Sequence, residues 1–141
     1  RVMKVLNKKR WAKMMPQAND FYLYENFLRA LANFPYFCGE KGANSGYLTL
    51  DQICKKELAT LFAHWTSASS SSSIPASKQG LMKVVEEGCE SHPLAEHCES
   101  YSVASELYPP VEGRAYFGRG PMQLKGNEAF GEASKALTGD Q

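Results

Sequence analysis

The strongest periodic pattern runs from Asp51 to Trp65. Leu50, Ile53, Cys54, Leu58, Leu61, Phe62 and Trp65 recur at spacings of three and four. That stripe predicts an amphipathic helix whose apolar side is core. Tyr24, Phe27, Leu28 and Leu31 repeat the pattern earlier in the chain. They predict a helix that begins near Asp20, a residue suited to an N-cap, and that Pro35 ends. A last helix is expected from Asn127 as N-cap, with Phe130 and Leu137 on its buried side and Gly139 as its stop.

Between these patterns the chain is polar. Gly39 to Gly46 reads as a Gly-rich loop, and residues 66–80 are Ser-rich, with five consecutive serines at Ser69 to Ser73. Such composition predicts a flexible loop. Residues 80–88 form a short element whose type the pattern leaves open, and residues 89–115 are loop-rich, with Pro109 and Pro110 together. Residues 1–19 are basic and mixed. Trp11, Met14 and Met15 are expected to pack on the domain, with Lys4, Lys8, Lys9 and Arg10 as a solvated face. His64 reads as a satisfied helix residue. The division is a basic segment at 1–19 followed by one domain at 20–141. There is no internal repeat and no linker.

Composition narrows the class. The chain has 141 residues, of which 43% are hydrophobic, enough for one domain with a real core. A net charge of +1 gives no strong field toward nucleic acid or a membrane surface. No apolar run approaches the ~18 residues of a membrane span. Nothing in the pattern calls for a cofactor. With no initiator Met and no leader, Arg1 reads as the start of a processed or excised segment.

The four cysteines, Cys38, Cys54, Cys89 and Cys98, fall into two local pairs. Of the three connectivities open to four cysteines, Cys38–Cys54 with Cys89–Cys98 rearranges the chain least. Disulfides there imply an oxidising, extracellular or luminal compartment. The alternatives are buried free thiols and a zinc site at Cys89, His92, His97 and Cys98. Against zinc, adjacent His97 and Cys98 are not expected to face one ion, so no metal site is assigned.

The most specific segment is Tyr116-Phe117-Gly118-Arg119-Gly120-Pro121-Met122-Gln123-Leu124. A Gly-Arg-Gly run alone is any tight turn. With its flanking aromatics, Pro121 and Gln123, it resembles the signature of family 19 glycoside hydrolases, the chitinases. Other parts fall in that family's order. Tyr24 to Cys38 resembles its first helix and Phe-Pro turn. Cys54 to His64 resembles the helix leading to its active site. Gly80-Leu81, then Glu86 and Cys89, resembles the segment carrying a second carboxylate. The similarity spans about residues 20–140. It implies a mainly helical, lysozyme-like α+β fold, and Tyr116, Phe117, Arg119, Gln123, Lys125 and Asn127 fall at substrate-binding positions.

The resemblance also implies chemistry. An inverting glycosidase uses one carboxylic acid to protonate the leaving oxygen and a second carboxylate to activate water. Glu86 matches the family's general base, with Glu87 as the alternate, and a solvated acidic pair is the bland alternative. The general acid has no match. In one register Ser67, Ala68 and Ser69 fall on the family's His-Glu-Thr motif, with Ala68 at the acid. In another, His64 takes the His and Trp65 the acid position. No Asp or Glu lies between Glu57 and Glu86. Lys125 stands where the family has a water-holding Ser, and Ala129 where it has a substrate-contacting Asn. Three separate losses read as decay or repurposing.

The expected protein is secreted and chitinase-like, catalytically impaired, and a binder of chitin or related N-acetylglucosamine polymers, or an assembly subunit. The rivals are an active endochitinase and an unrelated disulfide-bonded structural domain. The cleft is expected between the Ala68 loop, Glu86 and the Tyr116–Gln123 turn, with Arg119 turned inward, buried and paired with carbonyls or Glu86. Family members run well past the signature, so the chain reads as the N-terminal portion of an incomplete domain. A partner chain or a missing C-terminal half is expected to cover its open side.

Overall fold

A capping box opens the longest helix. The Thr49 hydroxyl accepts from the Gln52 amide (3.3 Å), and the Gln52 side chain accepts from the Thr49 amide (2.8 Å). This satisfies two of the donors a helix start leaves unpaired. In the computed structural model, which describes residues 1–39, 46–70 and 80–139, the chain falls into two units, Arg1–Met82 and Lys83–Gln141. Its helices are α1 (Val2–Val5), α2 (Lys8–Met14), α3 (Tyr24–Leu31), α4 (Leu50–Ala68), α5 (Glu96–Glu99) and α6 (Asn127–Thr138). The fold is mainly helical, as the sequence predicts. Among the described residues, β-structure is confined to isolated bridges, Val85 with Arg119 and Arg119 with Leu124.

In the first unit the predicted stripe of α4 is core. Ile53, Cys54, Leu58 and Phe62 are buried. The helix continues past Trp65 to Ala68, three residues beyond the expected end. Opposite the stripe sits Trp11 from α2, whose ring stacks on Phe27 (5.2 Å between centroids) and meets Phe62 edge-on (5.9 Å). Aromatic pairs of this kind add to the area they bury. The basic segment thus supplies an anchor: Trp11 and Met15 are buried, while Met14 is exposed, contrary to expectation. Successive helical residues point about 100° apart, so the adjacent Met14 and Met15 face different ways. The cationic face is exposed as predicted, with Lys4 paired to Asp51 and Lys8 to Glu25. Surface pairs of this kind contribute little.

Two boundaries differ from expectation. Helix α3 starts at Tyr24 with Leu23 as N-cap, not at Asp20. Asn19 organises the preceding turn instead: its side chain accepts from the Phe21 amide and its carbonyl from the Tyr22 amide. Such side-chain turns compete with helix. Its other end is as predicted, ahead of Pro35. The Cys38–Cys54 disulfide forms and ties the turn after α3 to α4.

Ser69 caps α4 from complete burial. Its hydroxyl donates to the Trp65 carbonyl and accepts from the Leu81 amide (2.9 Å). Leu81 is itself fully buried, with φ +55°. One hydroxyl therefore joins the chain on either side of residues 71–79, where most of the Ser-rich loop lies; those residues are outside the described ones. Ser69→Ala leaves a buried amide without a partner, which costs roughly 1–3 kcal/mol. Urea unfolding should show that loss, and a change under ~0.5 kcal/mol would contradict it.

In the second unit the Cys89–Cys98 disulfide forms. Cys89, Cys98 and Phe117 make a small buried cluster, with Val85, Ala95, Tyr101 and Ala115 packed against it. The element at 80–88 is neither helix nor strand. It is irregular chain with one bridge at Val85. Helix α6 ends at Gly139 in the left-handed region (φ +78°), as predicted. Its start and its buried side do not match the prediction. Gly126 is the N-cap, and Leu137 is 74% exposed. Asn127 cannot cap, because its side chain is used elsewhere. It accepts from the Val103 amide and donates to the Val103 and Tyr108 carbonyls.

Candidate functional site

The Glu86 carboxylate is the most heavily engaged acidic group of the second unit. Its Oε1 accepts from the Tyr101 hydroxyl (2.7 Å) and the Lys125 ammonium (2.8 Å). Its Oε2 accepts from the Gly118 amide (2.9 Å). The Glu86 amide donates back to the Gly118 carbonyl (2.7 Å), so Glu86 and Gly118 are locked by backbone and side chain together. Lys125 also donates to the Tyr101 hydroxyl (2.9 Å) and sits 4.6 Å from the centre of that ring. Lysine, tyrosine and carboxylate form a closed triangle.

The electrostatics follow from these contacts. Burial pushes the Glu86 carboxyl up. The hydrogen bonds from Lys125, Gly118 and Tyr101, with the Lys125 charge, pull it down further, to about 2. Lys125 is raised, chiefly by its bonds to Glu86 and Tyr101. At neutral pH the pair is therefore a charged ion pair. Glu87, the alternate candidate, is 86% exposed against 20% for Glu86 and pairs only with Lys83, at 3.7 Å. The two glutamates are not an equivalent solvated pair.

A tight turn holds this arrangement. The amide of Arg119 donates to the Leu124 carbonyl and that of Leu124 to the Arg119 carbonyl. The turn between them has positive φ at Gly120 (+75°) and Gln123 (+49°). The first suits glycine, which lacks a Cβ to clash. The second is strained for a side chain. The Gln123 side-chain amide donates to the Gly120 carbonyl (2.9 Å), which holds that conformation. A Cβ on Gly118 would meet the Gln123 side-chain oxygen at 2.8 Å, so a larger residue here would push the Gln123 side chain aside. Lys125 follows directly, and the turn delivers its ammonium to Glu86.

Arg119 does not turn inward. It is exposed, and its guanidinium covers the Phe117 ring at 4.5 Å and lies 5.5 Å from Phe130. Residues two apart in extended chain share a face. Phe117 fills the interior of that face and Arg119 caps it from the solvent side. Its one long hydrogen bond runs to the Ala115 carbonyl (3.4 Å). The cation expected at Glu86 is thus Lys125 and not Arg119.

The other predicted residues are placed as follows. Tyr116 is half-buried against Phe130, and its hydroxyl accepts from the Val111 amide. Asn127 is 3% exposed, with its amide group engaged by the 103–108 segment. Ala68 is the last residue of α4, and Ser67 beside it is exposed. Tyr101 was not singled out by sequence reasoning. No local motif marks it, because its partner Glu86 lies fifteen residues earlier in chain without regular spacing.

The zinc alternative is decided by donor chemistry. Cys89 and Cys98 sulfurs and a His97 ring nitrogen do lie within 4.8 Å of one another, so adjacency of His97 and Cys98 does not keep them apart. Both sulfurs, however, are joined in a disulfide. Zinc binds thiolates, and these are not available.

Residues 2–141 match the family described as chitinase class I. An acidic endochitinase of Dioscorea japonica is 32% identical over 118 residues, covering 84% of this chain and 38% of the relative. A protein of Hevea brasiliensis named inactive chitinase-like protein 2 is 32% identical over 120 residues, covering 85% of this chain and 31% of its own length. The crystal structure of chitinase C from Streptomyces griseus superposes with a TM-score of 0.65 at 26% identity, over 94% of this chain and 53% of that one. The chain therefore spans about a third to a half of the length of these relatives.

Proposed function

The chain belongs to glycoside hydrolase family 19, the class I chitinases, and on that premise we propose that it is a non-hydrolytic, secreted, chitinase-like binder of N-acetylglucosamine polymers. The observation that carries this reading is the Lys125 ammonium 2.8 Å from Glu86 Oε1. A general base works best with a pKa near the operating pH. A carboxyl held at about 2 is a poor proton acceptor at neutral pH. Tyr101 donates to the same oxygen as Lys125 and the Gly118 amide to the other, so three of the roughly four acceptor sites of the carboxylate are already taken. Ala68, which the resemblance aligns with the general acid, has no proton to give. The names of two Hevea brasiliensis relatives, inactive chitinase-like proteins 1 and 2, are consistent with such a lineage.

Secretion is supported by two disulfides, which persist in oxidising compartments. Among the described residues no helix is long and apolar enough to cross a membrane. A protein partner covering part of the unit belongs to the same proposal.

The rival reading is an active endochitinase. It is favoured by the endochitinase names among the relatives and by the retained carboxylate at Glu86. The two separate when the chain is titrated with N-acetylglucosamine hexamer by calorimetry, and the same samples are chromatographed afterwards. The expected result is saturable binding with the hexamer recovered intact. Shorter oligomers would support the rival, and absence of binding at millimolar hexamer would remove the binder reading.

A further inference from the structure

Glu86 lies three residues before Cys89, and Tyr101 lies three residues after Cys98. The disulfide between those cysteines therefore links the two arms of the Tyr101–Glu86 contact at equal reach. Each arm is short and hydrogen-bonded at its base. The Cys89 amide donates to the Glu86 carbonyl (3.1 Å), and the Ser102 amide donates to the Glu99 carbonyl (3.1 Å). Among the described residues from 83 to 126 the only helix is the four-residue α5, so little regular structure positions Tyr101. The two sulfurs are fully buried, and Val85 and Tyr101 pack on the cluster they form with Phe117.

We propose that the Cys89–Cys98 disulfide is the positioning device of the Glu86 site, with Tyr101 as the positioning residue through which it acts. This rests on the reading of Glu86 as a silenced base and adds what keeps it silenced. The disulfide holds the Tyr101 hydroxyl on Oε1. That hydroxyl and ring in turn hold Lys125, which donates to the hydroxyl and lies against the ring. One covalent bond thereby fixes both donors on Oε1. With the bond absent, Tyr101 is held only through its own segment, by the Ser102–Glu99 hydrogen bond and by Asn127, which grips Val103 two residues on. That fastening, with α6, keeps the unit folded while the tyrosine is free to leave Glu86.

The groups that face the Glu86 carboxylate are Lys125, Tyr101 and the Gly118 amide. The test reads the carboxylate directly, by carbon-detected NMR titration of the glutamate-labelled full chain. Tyr101→Phe removes the hydroxyl and keeps the ring. It should raise the Glu86 midpoint by about one pH unit. The Cys89→Ser/Cys98→Ser variant, which leaves Cys38–Cys54 intact, should raise it at least as much. Combining the two should add little, because the disulfide acts through Tyr101. An unmoved midpoint in Tyr101→Phe overturns the proposal, as does additive behaviour in the combined variant. Loss of the native amide NMR signals of α6 on removing the disulfide also overturns it, since the bond would then be a general fold staple. None of these readouts uses sugar, so they stand apart from the binding and cleavage assay.

Discussion

Incubated with chitin oligomers, the purified chain should leave them uncut at any rate near that of an active family 19 enzyme, and Ala68→Glu should restore little. General acid catalysis typically contributes ~10²–10⁴-fold in rate, because the departing sugar oxygen needs a proton at the transition state. Ala68 supplies none. Restoring a carboxyl there leaves the second half of the chemistry unmet. Glu86 would still be ion-paired to Lys125 and hydrogen-bonded by Tyr101 and Gly118. The informative comparison is therefore Ala68→Glu alone against Ala68→Glu with Lys125→Ser. Oligomer cleavage followed by chromatography should rank the double variant above either single one, by ~10-fold or more. Fast turnover by the unmodified chain would defeat the pseudoenzyme reading. Strong rescue by Ala68→Glu alone would show that the Lys125 contact is harmless.

Lys125→Ser by itself should move Glu86 visibly. The carboxyl stands at about 2 in the folded chain against an ordinary 4.5. Burial opposes that depression, and the Lys125 hydrogen bond is the largest effect that favours it, so removing Lys125 should raise the midpoint by more than one unit. The stability consequence has a definite sign. A carboxyl whose folded pKa lies below its unfolded one stabilises the fold above the unfolded value. That contribution is lost as pH falls from about 4.5 to about 2. Each unit of depression corresponds to ~1.4 kcal/mol. With Lys125 38% exposed, screening reduces the total to roughly 2–3 kcal/mol. Lys125 is shifted the other way. Its raised value means its contribution is present below its ordinary 10.5 and fades at higher pH. Urea midpoints measured from pH 2 to 6 should fall steeply with acidification in the unmodified chain and less steeply in Lys125→Ser. Parallel curves would contradict the coupling.

Much of the fold was legible because it rests on local rules. The stripe from Leu50 to Trp65 could only be core, and α4 buries it. The two cysteine pairs close short loops, and both disulfides form where the spacing suggests. Helix ends were less legible. Asp20 and Asn127 both have the chemistry of an N-cap and neither serves as one. Asn19 builds a competing turn ahead of α3, and Asn127 reaches back to Val103 and Tyr108. A capping residue can be read from its type only when no tertiary partner claims its side chain. Leu137 was misassigned to the core for a related reason: helical spacing says which residues share a face, not how far the neighbouring surface extends.

What the sequence determined alone was the inventory. The signature from Tyr116 to Leu124 and the order of segments before it identify the family without coordinates, and the stretch between Glu57 and Glu86 holds no Asp or Glu on which to propose a general acid. Residue identity suffices there, because an alanine cannot donate a proton in any conformation. The wiring of the surviving carboxylate was decided only by tertiary structure. Arg119 and Lys125 both lie near Gly118 in sequence, and both carry a cation. The turn with positive φ at Gly120 and Gln123 sends Arg119 onto Phe117 and Lys125 onto Glu86. Tyr101 joins them across a disulfide. Contacts between residues fifteen to thirty-nine apart depend on backbone angles at a few glycine-like positions, and no periodicity or spacing in the chain encodes where those angles aim a side chain.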